Sequence, residues 1–202
     1  MWDKAEKKFL LSLKTHEKIQ NYLDQLTYNP DYTAASPRYI MMTKMGHCFE
    51  GCLLAAAALE LQGYKPLIVN LMAHNDDYHA ITVYQTKTGW GSFSKSNTTL
   101  LRGRSPVYRS IRELIMSYFD FYFNVKGELS LHAYTNPINL NQFNHLEWRT
   151  SPDDLMGMAM KIAEKPHLDL LPLKDLKKLK PVSDLLNKAC FLGADPNGLY
   201  KP

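Results

Sequence analysis

The 202-residue chain carries three cysteines and seven histidines, the side chains with the widest chemical reach. Cys48 stands apart by its position. The stretch Met45–Tyr64, MGHCFEGCLLAAAALELQGY, opens on Gly46 and Cys48, continues as an apolar helix and closes at Gly63. A thiol at a helix N-terminus meets unpaired N–H groups and the positive end of the helix dipole, and both favour the thiolate. Its own amide can face a developing oxyanion. This is the setting of a nucleophile, and a nucleophile needs a base. His79 fits that role, because it begins a strand of the sheet on which this helix would pack.

A third residue must orient the histidine. TKTG (86–89) reads as a hairpin turn between two alternating segments, YHAITVYQ (78–85) and WGSFSKS (90–96). Pairing Gln85 with Trp90 sets His79 opposite Ser96 and places Ser94 on the diagonal. Trp90, Ser92, Ser94 and Ser96 then share one face. No carboxylate lies on that face. The register leaves Ser96 and Ser94 open for the orienting role.

The elements that must position these groups read as follows. Residues 3–27 have the spacing of one amphipathic helix. YNPDYTAASP breaks it, and RYIMMTK reads as a short extended piece leading to Gly46. The Cys48 helix runs to residue 62, and Ala55–Ala58 in its middle predicts close packing. PLIVNLMA (66–73) is nearly all apolar and reads as a central strand. Ser105-Pro106 predicts a helix start, LSLHAY (129–134) a strand, and Ser151-Pro152-Asp153-Asp154 another helix start. The order predicts an α+β fold with a mostly antiparallel sheet. One domain over 1–202 is expected: a core at about 38–135, a helical N-terminal segment at 3–27 and a helical C-terminal extension at 151–202.

Gly-x-Cys at a helix start, an Ala/Leu-rich helix ending in Gly-Tyr, a strand, His-Ala-x-x-x-Val-Tyr, a turn and Gly-Trp follow one another in fixed order. In this chain the matching residues are Gly46, Cys48, Gly63-Tyr64, His79-Ala80, Val83-Tyr84 and Gly89-Trp90. This order resembles the transglutaminase-like domain of the papain-like cysteine-enzyme superfamily, in particular a bacterial branch with W-G-x-x-S-K-S-N after the histidine. The resemblance spans roughly residues 45–97, about a quarter of the chain. It implies a papain-like core with Cys48 as nucleophile and His79 as base. The family's orienting Asp, four residues after the Trp, falls on Ser94 here, so the resemblance implies Ser94 in the third position, with Ser96 or the nearby Asn97 as substitutes.

Other chemistry is weaker. Cys48-x3-Cys52 with His74-x4-His79 mimics zinc spacing, but Cys52 points into an alanine-rich helix side, so no metal is expected. Cys52 and Cys190 read as core. His47 and His74 read as exposed loop residues, Asp76 and Asp77 as a solvated turn, and Glu50 as a helix cap. The aromatic run 118–123 has too few basic neighbours for a base-stacking platform. The net charge of +4 and the absence of charge blocks argue against nucleic acid. MWDKAEKKFLLSLK is not read as a secretory signal, no run suits a membrane span, and three cysteines make a poor disulfide framework. The expectation is a cytoplasmic, cofactor-free thiol hydrolase or acyltransferase acting on a peptide, protein or small amide. The competing expectation is a degenerate relative that binds a peptide or protein partner in the same cleft, and the third a zinc-binding protein.

Overall fold

The computed structural model describes residues 1–201. The apolar run at 3–27 is two helices, α1 (Lys4–Ser12) and α2 (His16–Gln25). Thr15 divides them: its hydroxyl accepts from the Lys18 N–H at 3.2 Å and caps α2. A threonine within an apolar-periodic run offers the backbone such an alternative partner. The apolar positions stay buried despite the break, since Leu10, Leu13, Ile19, Leu23 and Leu26 belong to one cluster with Leu54, Ala55 and Ala58.

The segment expected to be extended before Gly46 is instead a helix, α3 (Pro37–Thr43). Ser36 precedes it and Pro37 holds its first position, where a missing N–H costs nothing. Lys44 ends it in the left-handed region at φ 58°. The Cys-bearing helix α4 (Cys48–Leu61) follows, and Ala55–Ala58 are fully buried. Gly63 closes it with φ +88°, a conformation that favours glycine. At Gly51 a Cβ would come within 2.5 Å of Lys95 Cβ, so this glycine lets α4 approach the 94–96 segment.

Seven strands form one sheet: β1 (Leu67–Ala73), β2 (His79–Gln85), β3 (Trp90–Phe93), β4 (Arg104–Tyr108), β5 (Leu131–Thr135), β6 (Ile138–Asn139) and β7 (His167–Asp169). The order is β4-β3-β2-β1-β5-β7, with β6 also on β1, and every pairing of these strands is antiparallel. Gln85 pairs with Trp90, the expected hairpin register. Ser105-Pro106 does not start a helix. It lies within β4 at the sheet edge, where proline's missing donor is tolerated. The helix after it, α5 (Ile111–Phe119), starts five residues later than Pro106, with Ser110 as its cap.

The C-terminal extension also departs from expectation, since it is not wholly helical. Helix α6 (Met156–Ala163) begins two residues after Asp154, whose carboxylate accepts from Met156 N–H and also from Ala34 N–H. β7 then joins the sheet edge, and the short helices α7 (Leu173–Leu176) and α8 (Asp184–Cys190) follow. The result is α+β with helices on both sheet faces. Ile68 and Ala80 meet Cys52, Leu53 and Ala56 of α4 on one face. Val69, Leu71, Ile81 and Val83 meet Leu114, Ile115 and Tyr118 of α5 on the other. Among the described residues no helix is long and apolar enough to cross a membrane.

Candidate active site

Cys48 is the first residue of α4, so its amide has no partner within the helix. It is half-buried and faces a cleft of about 740 Å³. Gly46 has no positive φ, and a Cβ there would make only ordinary contacts at 3.5–3.7 Å. The backbone at this position therefore does not require a glycine.

His47 is not an exposed loop residue. It is 9% exposed and caps α4. Its Nε2 lies 2.6 Å from the Thr33 carbonyl and so carries a proton. Its Nδ1 lies 3.2 Å from the Phe49 N–H, which it can accept only when neutral. Burial opposes charge on this ring, but the neighbouring Cys48 sulfur, Glu50 and the Thr33 carbonyl outweigh burial and raise it to about 9. The two states compete for Nδ1. The hydrogen bonds displayed are those of the neutral ring, and an ionised Cys48 draws it toward the imidazolium at the cost of the cap contact.

Glu50 holds this corner together. Its carboxylate is 1% exposed and accepts from His47 N–H at 2.8 Å, Ala35 N–H at 2.7 Å and the Asn29 amide at 3.2 Å. The expected capping role is what the hydrogen bonds display. Glu50→Ala would strand three donors, two of them backbone amides. It should cost about 3 kcal/mol, read as a lowered denaturant midpoint at unchanged slope.

His79 opens β2 and is buried, with the Tyr122 ring edge-on at 6.3 Å between centroids. Tyr122 donates to the Asp77 carbonyl at 2.5 Å and so braces the loop before the histidine. Ser94 Oγ lies 2.6 Å from His79 Nε2 and 2.6 Å from the Leu101 carbonyl. A serine has one proton to donate, and a carbonyl can only accept. The hydroxyl proton therefore goes to Leu101, and His79 Nε2–H donates to Ser94. That leaves Nδ1 as the free lone pair of the neutral ring. Burial alone would push the Cys48 thiol up, but the neighbouring His47 and His79 imidazoles hold it well below the usual thiol range.

Cys48, His79 and Ser94 thus come together, whereas the two substitutes do not. Ser96 pairs with Thr98, and the Asn97 amide exchanges two 2.8 Å bonds with the Asp195 backbone. Cys52 is buried with its thiol pushed up by burial, and Cys190 is buried at the end of α8. Among the described residues no group of three or more His, Cys, Asp or Glu is placed to hold a metal. The zinc spacing of Cys48, Cys52, His74 and His79 does not become a ligand set.

Asp76 and Asp77 are more than a solvated turn, since both line the cleft. Burial, Asp76 and Cys48 together raise Asp77 to about 6. The opposite wall includes Phe191 and residues 199–201, tethered through the Asn97–Asp195 pair. His47 could have been found in the sequence, because a residue directly before the first residue of a helix is its cap. Nothing local in the sequence announces the C-terminal wall, which lies about 150 residues from the thiol. No protein-family model matches the chain, and no curated protein matches it.

Proposed function

We propose that the chain is a transglutaminase-like, cysteine-dependent acyl-transfer enzyme that hydrolyses a peptide or amide bond. The observation that carries this reading is the Ser94 hydroxyl between His79 and Leu101, which fixes the imidazole with a free Nδ1. His79 Nδ1 takes the Cys48 proton, and the sulfur adds to the substrate carbonyl carbon. The C=O π electrons move to oxygen, which the Cys48 N–H can receive. Collapse of this intermediate breaks the C–N bond, and the imidazolium gives its proton to the leaving amine. Water, deprotonated by the same nitrogen, then adds to the thioester carbon; the C–S bond breaks, the acid leaves, and the imidazolium returns its proton to the sulfur. His47 favours the thiolate as well.

A neutral serine where a carboxylate would stabilise imidazolium more strongly favours one other reading, a non-catalytic cleft that binds a peptide or protein. Thiol reactivity separates the two. A lowered thiol pKa means that the thiolate persists as pH falls. Iodoacetamide should therefore alkylate Cys48 at pH 6.5 at nearly its pH 9 rate, whereas an ordinary thiol slows about a hundredfold below its pKa of ~8.5. Cys52 and Cys190 should not react in the folded chain. A Cys48 profile with a midpoint near that of free cysteine would favour the binding cleft.

A further inference from the structure

The sheet face beneath α4 carries two polar side chains near the site, Asn70 and Thr82. Thr82 spends its hydroxyl on the Cys52 carbonyl at 2.8 Å. Asn70 does not spend its amide: Nδ2 is buried and has no hydrogen-bond partner among the described residues. The residue is only 7% exposed, yet it lines the cleft with Cys48 and His79. Its register fixes where it stands. Asn70 pairs with Ala80, the residue after His79, and cross-strand partners share a face. Ala80 packs in the same cluster as Phe49 and Cys52 from the first turns of α4. The backbone of Asn70 is pinned by the Thr135 hydroxyl, which accepts from its N–H at 3.0 Å. A buried donor without a partner is expensive, and such groups are rare in folded proteins. Its neighbours offer it nothing, and the residue itself lines the cleft beside the thiol.

We infer that the Asn70 side-chain amide is a catalytic hydrogen-bond donor to the substrate's carbonyl oxygen, a second donor beside the Cys48 N–H. This rests on the acyl-transfer reading, since it assigns Asn70 to the oxygen that becomes negative when Cys48 attacks. The oxygen accepts from two directions, one from the helix end and one from the sheet. The residue also restricts the substrate: its reacting group must present a carbonyl oxygen to the floor of the cleft. Phe121, Val125, Met156 and Met160 along the lining suit an apolar or aromatic acyl side.

A peptide aldehyde with phenylalanine at the aldehyde position tests both layers. The Cys48 sulfur adds to the aldehyde carbon, and its oxygen takes a proton from the imidazolium, giving a hemithioacetal that resembles the tetrahedral intermediate. Binding is read as protection of Cys48 from iodoacetamide, for the parent chain, Asn70→Ala and Asn70→Asp. Protection in the parent, with an apparent Kd weakened about 100-fold in both variants, is the expected result. Equal Kd values in parent and variants would overturn the role of Asn70 and leave the acyl-transfer reading intact. No protection in the parent would overturn both. A variant whose alkylation without aldehyde slows as much as its aldehyde binding weakens would make Asn70 a structural residue instead.

Discussion

Cys48→Ala and His79→Ala should each lower acyl transfer by about 10⁴-fold or more, and the double variant should be no worse than either alone. Residues that act as one unit show this non-additivity, because the second loss removes nothing that still works. The two variants should differ in a second readout. Cys48→Ala ends alkylation at this position. His79→Ala leaves a thiol with only His47 beside it, so alkylation persists but its midpoint rises toward that of free cysteine. Asp77, raised to about 6, supplies the sign of a further effect. Below pH 6 it is neutral, and above it adds negative charge near Cys48. Asp77→Asn should therefore extend thiolate reactivity slightly to lower pH. Activity of His79→Ala within tenfold of the parent, on peptides and glutamine amides that the parent cleaves, would rule out His79 as the base. Loss of unfolding free energy should stay modest, because the His79 ring makes one hydrogen bond and one edge-on aromatic contact.

The parts of this arrangement that were legible in the sequence are those governed by local rules. Cys48 at a helix start, Gly63 at its end and the Gln85–Trp90 hairpin register are all set by residues within a few positions of one another. From that register alone, Ser94 could be placed near His79. The dipeptide Ser-Pro shows where local rules fail. Ser36-Pro37 opens a helix where an extended piece was expected, while Ser105-Pro106 sits in an edge strand. Proline at a helix start and proline at a sheet edge share one physical reason, a missing N–H that nothing requires. Only tertiary position decides between them, because β4 needs β3 beside it. The same limit hid Asn70. Its strand was recognised, but that its amide lacks a partner is a property of every neighbour at once.

Ser94→Asp, which would install the carboxylate of the transglutaminase-like pattern that the sequence resembles, should destabilise the fold and fail to raise activity. The site is built around a hydroxyl. Ser94 is 1% exposed, and its oxygen lies 2.6 Å from both the Leu101 carbonyl and His79 Nε2. One partner accepts and the other donates, and a hydroxyl can satisfy both. An aspartate accepts only, so it would face the Leu101 carbonyl with like partial charge and leave that carbonyl without its donor. The carboxylate is also larger, in a segment held on its other side by two bonds between Gln20 and the Ser94 backbone. The cost should be about 3 kcal/mol, or roughly 6–12 °C in Tm for a chain of this size. Ser94→Ala keeps the volume nearly constant and removes both bonds. It should lose less stability but release the imidazole to rotate, lowering kcat by about 10–100-fold with KM little changed, because the ring's orientation matters mainly once charge develops on it. Ser94→Thr retains the hydroxyl and should recover part of that loss. If Ser94→Asp were instead as stable as the parent and more active, the serine would be the remnant of a lost acid, and Leu101 would have no part in setting the tautomer of His79.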